Sequence, residues 1–436
     1  MTTKSKNVES KLIHFLNHAP TAWHAVEYSI KELHSQGFQE FKEEEAWHIK
    51  PNGKYYVVRN GSSICAFVMP KKIPAKLHVA AAHTDSPAFK LKPNAEFTKE
   101  NMVMLGLEIY GGPLIASWLN RDLGIAGRII YADKKGHQHE KLVNITDCPL
   151  VIPQLAIHLD RNVNESGPVL NKQEQLAAIV TLSDKKVLKE KKTANTPLLT
   201  RLLKKHFPIH ELLSTELFVY PLEMARHVGE DHTMIAGYRI DNLISMHAAL
   251  HGLFEASKAS NDMIKMVVFW DNEEIGSHTA QGAGSPFVPH IIERIALSMG
   301  MSREEYFRLI SRSLCASIDV VHALHPNYAD KHEPRHPVLL NHGIVIKNSA
   351  QFRYASDARS SAAIIALCIE HKIPYQRYVA RGDMSCGSTV GPIHANLTGM
   401  PTVDIGCTQL SMHSARELAG TEDIHSMTRL VKAFLS

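Results

Sequence analysis

The sequence of 436 residues lacks the features of a membrane or secreted protein. Its longest apolar runs have the length of a strand, such as residues 266–270, whereas a membrane-spanning helix needs about 18–20 consecutive apolar residues. The polar start, MTTKSKNVES, has no apolar core of the kind that a secretory signal requires. We therefore expect a protein without membrane contact that resides in the cytoplasm.

Cysteine pairs and an excess of charge are also missing. The six cysteines include no C-x-x-C pair, and a chain of this length needs no disulfide framework to be stable. Lysine and arginine number 48 against 44 acidic residues, so the formal net charge is only +4. Such a small excess gives no reason to expect nucleic acid or an anionic membrane as a partner. Reduced thiols are expected.

What remains is an ordinary globular composition with one unusual count. Hydrophobic residues make up 44% and charged residues 21%, values that exclude collagen-like and wholly disordered classes. The length suggests two or three domains, or one large domain that carries an insertion. The unusual count is 27 histidines, which favours metal or acid–base chemistry only where imidazoles stand beside carboxylates.

Strand and helix patterns alternate in the first and last parts of the chain. Apolar residues at helical spacing predict two short helices between residues 10 and 38, and an Asn-Gly turn at 60–61 predicts a hairpin. Further strands are predicted over 76–82, 263–270, 316–319, 376–380 and 401–406. Helices are predicted from residue 241 to about 258 and over 289–298, 360–370, 390–397 and 424–435. This alternation predicts an α/β sheet with helices on both faces.

Residues 93–237 have a different pattern, with alternating strands, loops and no long helix. We predict a catalytic domain in two parts, 1–92 and 238–436, interrupted by a mostly β insertion over 93–237. Within the insertion, the basic stretch 185–205 predicts a solvated flexible loop rather than a binding patch.

Imidazoles and carboxylates stand at the ends of the predicted elements, where open α/β sheets bind ligands. These residues are His83, Asp85, Asp241, Asp271, Glu273, Glu274, Asp319, His322, His325 and His413. Several carboxylates buried together must be protonated or neutralised, because like charges repel. A pair of divalent metal ions would resolve that conflict, with zinc the first choice and cobalt or manganese as alternatives.

The neighbouring residues Glu273 and Glu274 suit such a centre, since one can ligate a metal ion while the other accepts a proton from water. A purely structural interpretation is also open, because single histidines at strand ends are commonly hydrogen-bonded and Glu-Glu pairs commonly begin solvated helices. The candidate ligands form no compact motif, so their spacing alone does not decide between the two interpretations.

Nine strings, in order along nearly the whole chain, resemble the aspartyl aminopeptidase family of dinuclear zinc exopeptidases. They are HVAAAHTDSP (78–87), YGGPLIASWLNRDLGIAGR (110–128), IPQLAIHLDR (152–161), YRIDNL (238–243), FWDNEEIGSHTAQGA (269–283), SIDVVHALHPNYADKHE (317–333), VIKNSAQFRYA (345–355), CGSTVGP (386–392) and DIGCTQLSMHSARE (404–417). The resemblance implies a zinc-exopeptidase-like α/β/α catalytic domain, with the insertion serving as a dimerisation or lid domain.

The resemblance also implies two divalent metal ions per subunit. His83 and Asp319 would hold one ion, Glu274 and His413 would hold the other, and Asp241 would bridge both. Glu273, next to Glu274, would be the general base. Asp85, two residues after His83, would orient the His83 imidazole.

Four further residues match family positions around the substrate. His158 would reach into the active site of the neighbouring subunit and help to stabilise the transition state, by contacting either the transition state itself or a metal ion. The substrate pocket would be lined by His322, Lys347 and Tyr354, and the lysine would supply the cation that an acidic side chain requires.

The implied function is removal of one N-terminal residue, preferentially Asp or Glu, from peptides with a free amine. The implied assembly is a homo-oligomer, a dodecamer built from dimers. Two alternatives stay open: a related dinuclear amidohydrolase that acts on N-acyl or C-terminal substrates, and a self-assembling shell or cargo protein with a vestigial site. The presence of Asp241, Glu273, Glu274 and Asp319 argues against the shell protein.

Overall fold

The chain forms two compact units in a computed structural model that describes residues 3–183, 197–259 and 262–436. Unit 1 comprises Met1–Ser86, Ala225–Met412 and Arg416–Ser436, and unit 2 comprises Pro87–Met224 and His413–Ala415. The predicted insertion, 93–237, overlaps unit 2. Its service as a dimerisation or lid domain stays a prediction.

The described residues form helices and strands that are numbered in chain order. The α-helices are α1 (Thr3–His18), α2 (Ala22–Ser35), α3 (Val163–Ser166), α4 (Leu198–Lys204), α5 (Ile240–Ala256), α6 (Phe287–Ser298), α7 (Arg303–Ser311), α8 (Ala358–Glu370), α9 (Val390–Thr398) and α10 (Thr421–Phe434). The strands are β1 (Gln39–Glu40), β2 (Lys54–Arg59), β3 (Ser63–Val68), β4 (Lys76–His83), β5 (Ala88–Lys99), β6 (Met102–Tyr110), β7 (Leu123–Ala132), β8 (Gln138–Leu150), β9 (Ala177–Leu182), β10 (Glu211–Pro221), β11 (Arg226–Val228), β12 (Met234–Gly237), β13 (Met263–Trp270), β14 (Leu314–Ile318), β15 (Val321–His322), β16 (Ile344–Asn348), β17 (Tyr375–Val379), β18 (Thr402–Gly406), β19 (Thr408–Leu410) and β20 (Glu417–Gly420).

Unit 1 is built on a mixed sheet with the order β1-β2-β3-β13-β4-β14-β18-β16-β17, beside a smaller sheet β11-β12-β20-β19-β15. The central strands β13, β4, β14 and β18 run parallel. Trp270 lies opposite His83, and Ser317 lies opposite Ala81, so the carboxyl ends of these strands meet at one edge of the sheet. Residues that follow the strands are thereby brought together.

The side chains of β4 alternate between two hydrophobic clusters. Leu77, Val79 and Ala81 pack with residues of α6 and α7, whereas Ala80 and Ala82 pack with residues of α5 and α10. Successive strand residues point to opposite faces, so a helical layer covers each face of the sheet. The prediction of an α/β sheet with helices on both faces is confirmed.

Local sequence signals account for the ends of these elements. Residues 60–62 connect β2 and β3 through a β-turn in which the Ser62 N–H donates to the Arg59 carbonyl oxygen at 3.2 Å. Its central residues, Asn60 and Gly61, both have positive φ, of 52° and 69°, as a type I′ turn requires. The last helix, α10, has Glu422 and Asp423 in its first turn, where acidic side chains are favoured by the helix dipole. Its buried apolar residues recur every three or four positions, at Ile424, Met427, Leu430, Val431 and Phe434.

Unit 2 contains an antiparallel sheet with the order β8-β7-β10-β5-β6-β9, which agrees with the mostly β character predicted for this part of the chain. The longest of its strands, β8, runs from Gln138 to Leu150. Gly127 in β7 has a φ of 150°, and a Cβ atom there would lie 2.0 Å from the Glu216 carbonyl oxygen. Only glycine permits this close approach of β7 and β10.

Three sequence expectations differ from the structure. Part of the predicted flexible loop 185–205 is helix α4, which buries Leu202 and Leu203, while residues 184–196 lie outside the described residues. Helix α7 and strand β16 lie where no element is expected from the apolar pattern. Helix α7 buries few apolar residues, and the capping box formed by Ser302 and Glu305 is the sequence signal that marks its start.

Two features follow from the composition. Within residues 3–183, 197–259 and 262–436, no helix combines the length and apolarity needed to cross a bilayer. All six cysteines, which belong to the described part of the chain, are free thiols. Packing and hydrogen bonds rather than covalent cross-links therefore hold the described parts of both units together.

Candidate active site

His83, the last residue of β4, is surrounded by carboxylates and is only 1% exposed. Its Nε2 atom lies 3.2 Å from Asp241 Oδ1 and 3.5 Å from Asp319 Oδ1. On the other side of the ring, Nδ1 donates to the Asp85 carbonyl oxygen at 3.1 Å. The donor bond of Nδ1 directs Nε2 toward the two carboxylates, which is the orientation that a metal ligand requires.

Asp319 follows β14 and lies beside Lys347 of β16. The Lys347 ammonium is 3.6 Å from Asp319 Oδ2 and donates to the Val320 carbonyl oxygen at 2.8 Å. The same ammonium lies 5.3 Å from the centre of the Tyr354 ring, and Lys347 as a residue is 2% exposed. The structure therefore places one predicted pocket residue, Lys347, against a predicted metal ligand and a second, Tyr354, beside that lysine.

Asp241 occupies the irregular first turn of α5. Asp241 and Asn242 have non-helical backbone angles and are joined by a cis peptide bond. The backbone N–H of Asp241 donates to Glu417 Oε2 at 2.9 Å, and its carbonyl oxygen accepts from Ser86 Oγ at 2.5 Å. These two bonds hold the Asp241 backbone from both sides.

Arg239 and Glu417 are site residues that the sequence analysis does not single out, although both stand inside strings that carry the family resemblance. Arg239 is 2% exposed and donates to the carbonyl oxygens of Ala19, at 2.6 Å, and Thr84. Its Nε also donates to Ser86 Oγ at 3.2 Å. Arg239 thus ties the chain before Asp241 to the segment that follows His83. A charged residue next to a candidate ligand is the signal that could have identified it.

Glu273 and Glu274 begin the 3₁₀ turn Glu273–Ile275 that follows β13. Their backbone N–H groups donate to Asp85, that of Glu273 to Oδ1 and that of Glu274 to Oδ2, each at 3.1 Å. Just before the turn, Asn272 adopts a left-handed conformation, and its Oδ1 accepts from Thr279 and Gln281 at 2.8 and 2.9 Å. The backbone that carries the two glutamates is therefore fixed on both sides.

One ligand atom each from His83, Asp241 and Glu274 lie within 4.8 Å of one another. An imidazole nitrogen with carboxylate oxygens is the donor set that zinc accepts. The residues present therefore fit a divalent metal ion.

Charge repulsion in this cluster points to the same conclusion. Burial, reinforced by Asp319, Asp85 and Asp241, raises the pKa of Glu273 to about 8, although His83 opposes the shift. Burial and neighbouring carboxylates raise the pKa of Glu274 well above its usual value. Burial alone would lower the pKa of His83, but its contacts with Asp241, Asp319 and Asp85 raise it well above 6.5. A bound cation would relieve the repulsion among these carboxylates.

His413 and His158 belong to unit 2. The His413 Nδ1 atom donates to the Gly112 carbonyl oxygen at 3.1 Å, a bond that places the lone pair of a neutral ring on Nε2. His158 is exposed, in a segment whose apolar side chains also face solvent: Leu155 is 57% exposed, Ile157 44% and Leu159 74%. The predicted site residues that the structure places together are those of unit 1.

His322 lies in β15, which pairs in parallel with β19 so that His322 stands opposite Gln409. It lines a cavity of about 310 Å³ that Tyr378 also lines. Tyr378 makes an edge contact with Tyr354, with ring centres 6.2 Å apart. The three predicted substrate-pocket residues are thus linked through Tyr378.

Comparison with known proteins agrees with this architecture. The profile of the family described as aminopeptidase I zinc metalloprotease (M18) matches residues 15–435. Two relatives described as probable M18 family aminopeptidase 2 are each 39% identical to this chain. The protein of Ectopseudomonas mendocina (strain ymp) aligns over 430 residues, which cover 98% of this chain and 97% of the relative. The protein of Clostridium novyi (strain NT) aligns over 435 residues, which cover 98% of both chains. A chain of the Ape4 and Nbr1 complex superposes with a TM-score of 0.94 at 33% identity, covering 99% of this chain and 86% of that one. A chain of the S. cerevisiae mApe1 dodecamer gives a TM-score of 0.84 at 26% identity, covering 99% and 97%.

Proposed function

Since the chain belongs to the aminopeptidase I family of zinc metalloproteases (M18), we propose that it removes a single N-terminal Asp or Glu from peptides with a free amine and uses two divalent metal ions. The observation that carries the proposal is the buried cluster of His83, Asp241, Glu274 and Asp319 at the carboxyl edge of the sheet, with Glu273 beside it. The zinc-exopeptidase-like fold with an inserted β-rich domain, predicted from the sequence, is shared with the solved M18 structures.

In this proposal, His83 and Asp319 would hold one ion, Glu274 and His413 would hold the other, and Asp241 would be a ligand shared by both. The Nδ1 hydrogen bonds of both histidines to carbonyl oxygens support these roles, because a neutral imidazole whose Nδ1 donates carries its lone pair on Nε2. When bound, the ions would polarise the scissile carbonyl and lower the pKa of a water molecule. Zinc is the first choice, with cobalt or manganese as alternatives.

Glu273 serves as the general base. Its backbone is held by Asp85 and its neighbour Glu274 belongs to the cluster, so its own carboxylate would be available to a water molecule at the metal site and would not be needed as a ligand. Glu273 takes a proton from the water and returns it to the amine of the leaving peptide.

Lys347 accounts for the acidic preference. Its ammonium is a buried positive charge, flanked by Asp319 and the Tyr354 ring. An ammonium group carries three N–H donors, one of which the Val320 carbonyl oxygen accepts. A substrate carboxylate that reaches Lys347 would gain a charge-assisted hydrogen bond that an uncharged side chain would not.

A homo-oligomer, a dodecamer built from dimers, is the proposed assembly, and His158 acts in the site of the neighbouring subunit. The apolar side chains of Leu155, Ile157 and Leu159 surround His158 and are exposed in the single chain, as expected of a surface that a partner covers. A relative of known structure, S. cerevisiae mApe1, is described as a dodecamer. The free thiols suit the cytoplasmic location that we propose.

Metal analysis combined with a scan of N-terminal residues tests the proposal. Purified protein should contain two zinc ions per subunit and should hydrolyse the p-nitroanilides of Asp and Glu faster than those of Asn, Ala and Lys. N-acetyl-Asp derivatives provide the control, because a blocked amine excludes aminopeptidase action. Faster hydrolysis of the N-acyl substrates would instead favour the related amidohydrolase.

A further inference from the structure

The cavity beside His322 has the size of a ligand site and lies next to the proposed first-residue pocket. Its volume of about 310 Å³ falls within the range of small-molecule pockets. One wall comes from β15, which begins two residues after Asp319, and another from Tyr378, whose ring contacts Tyr354. If the first side chain of a peptide binds near Lys347 and Tyr354, its second residue would lie close to this cavity.

Two imidazoles in the cavity wall are fixed as hydrogen-bond donors. His325 Nδ1 accepts from the backbone N–H of Asn327 at 3.2 Å, and His332 Nε2 accepts from the backbone N–H of His325 at 3.2 Å. A neutral imidazole that accepts with one nitrogen carries its proton on the other. His325 therefore offers its Nε2–H and His332 its Nδ1–H. Burial, with His325 nearby, lowers the pKa of His332, which favours this neutral form.

Two cations complete the donor set. Arg381 uses three N–H groups, two for the carboxylate of Asp383 and one for the Asp330 carbonyl oxygen. A guanidinium has five N–H donors, so two N–H groups of Arg381 make none of the hydrogen bonds found among the described residues. Lys331 pairs with Asp330 at 3.6 Å, and both side chains are well exposed, so this pair is weak.

The lining contains one carboxylate to set against these donors. Glu333 Oε2 accepts from the His336 ring at 2.6 Å and from the Arg335 backbone N–H at 2.9 Å. Both donors belong to residues outside the cavity lining, so this oxygen already has two hydrogen bonds there. What the cavity offers to a ligand is a concentration of N–H donors, two of them on cations that are each paired with a single carboxylate outside the lining, and such donors recognise a carboxylate.

We propose that this cavity is a carboxylate subsite that selects peptides by the residue following the N-terminal one, an inference that rests on the proposed aminopeptidase function. The carboxylate comes from an acidic side chain at the second position or, in a dipeptide, from the C-terminus. Arg381, Lys331, His325 and His332 bind it. The chain would thus favour substrates that carry negative charge at two successive places.

Matched peptides measure this selection directly. The ratio of kcat/KM for Asp-Glu-amide over Asp-Gln-amide isolates the second side chain, and the ratio for Asp-Ala over Asp-Ala-amide isolates the C-terminus. We expect at least one ratio to be about five- to tenfold in the wild type, the range of a partly exposed charge-assisted contact, and to approach one in the Arg381→Gln, Lys331→Gln double variant. Arg303→Gln, which removes an exposed cation elsewhere in unit 1, should leave both ratios as in the wild type.

The possible failures are distinguishable. A wild type that cleaves no peptide with N-terminal Asp contradicts the proposed function itself. A wild type that cleaves such peptides with both ratios near one overturns the subsite alone. So does a double variant that changes only the Asp over Asn ratio at the first position, because the cavity would then bind the first side chain.

Cys386 gives a measurement that does not depend on turnover. Its thiol lines the cavity and is partly exposed, while Cys148, also partly exposed, lies in unit 2. In a Glu273→Gln background, Asp-Glu-amide should slow alkylation of Cys386 by iodoacetamide more than Asp-Gln-amide does, with Cys148 as the internal control. Equal alkylation of Cys386 with both peptides would count against a side-chain subsite, and the corresponding pair Asp-Ala and Asp-Ala-amide tests the C-terminal one.

Discussion

The Asp85 carboxylate holds the backbone of Glu273, whose N–H donates to Asp85 Oδ1 at 3.1 Å. The other oxygen accepts from the N–H of Glu274 at 3.1 Å, and Oδ1 lies 3.5 Å from Nδ1 of His83. The Asp85 side chain therefore connects the end of β4 with the turn that follows β13. Both oxygens are in use, and an amide could supply only one acceptor in their place.

Asp85→Asn should consequently weaken zinc binding and lower kcat/KM for Asp p-nitroanilide, each about 10–100-fold, as loss of a group that orients metal ligands commonly does. Chelator competition measures the affinity, and steady-state kinetics measures kcat/KM. Asp147→Asn, at an exposed position in unit 2, is the control. Unchanged zinc affinity would show that Asp85 does not support the metal site.

Glu273→Gln should retain zinc but lose activity. Glutamine keeps the shape of the side chain and leaves the backbone bond to Asp85 in place, yet it cannot accept a proton from water. The contribution of a general base predicts a fall in kcat of about 10²–10⁴-fold. Metal content by mass spectrometry should match that of the wild type and of Glu370→Gln, an exposed control. Turnover near the wild-type rate would remove Glu273 from this role.

The fold was predictable where burial leaves a strong local pattern. Strand β13 lies over the residues predicted for it, 263–270, because all eight are buried and apolar residues dominate them. Helix α7 buries Leu309 and Ile310 but few other residues, so its periodicity is weak and only its cap marks it. The convergence of His83 and Asp319 followed from one rule, that parallel strands end at the same edge.

The remaining site contacts depend on packing between distant segments. Arg239 donates to carbonyl oxygens of Ala19 and Thr84, and Glu417 accepts from the Asp241 backbone. Such bonds between a side chain and a remote backbone group leave no periodic trace in the sequence. The association of His413 with unit 2, through Gly112, is of the same kind.

Lys347→Met should reduce the preference for N-terminal Asp over Asn by about 10–100-fold, because the variant keeps the apolar stem and loses the charge. The measurement is the ratio of kcat/KM for the two p-nitroanilides. Lys265→Met is a closely matched control: this lysine is also 2% exposed, but it donates to the carbonyl oxygens of Ala256 and Ala259 at the end of α5. An unchanged ratio in Lys347→Met would assign side-chain recognition to another residue.

His158→Ala and Glu273→Ala should complement each other if His158 serves the neighbouring subunit. Each variant alone is expected to be inactive. After dissociation, mixing and reassembly at equal concentrations, about half of the dimers are mixed and each contains one complete site, so about a quarter of the sites should recover. If His158 acted within its own chain, every site would keep one lesion and the mixture would stay inactive.

Acid should destabilise the protein through buried neutral histidines, of which His394 is the clearest. Its ring lies 5.5 Å from that of Trp270, and neither ring nitrogen has a hydrogen-bond partner among the described residues. Burial lowers the pKa of His394 from 6.5 to about 4. The unfolded chain takes up the proton first, so the contribution to stability is complete above pH 6.5 and is lost as the pH falls toward 4. The loss is about 2 kcal/mol between pH 7 and pH 5.

His394→Leu should therefore flatten the pH dependence of stability. The thermal midpoint, measured at pH 7, 6 and 5, should fall less with acid than it does in the wild type. The exposed residue His48, replaced in the same way, is the control. Parallel curves for His394→Leu and the wild type would mean that the acid sensitivity arises elsewhere.

The strand order of unit 1 also determines when during synthesis the enzyme can become active. Both neighbours of β4 in the sheet, β13 and β14, are encoded after nearly all of unit 2. A nascent chain can thus complete most of unit 2 while β4 still lacks both hydrogen-bonding partners, and its long-range pairings are the slow part of folding. His83 ends β4 and Asp319 follows β14, so no growing chain holds the two together before the ribosome has passed both. The two candidate ligands therefore come together only late in synthesis, after most of unit 2 has been made.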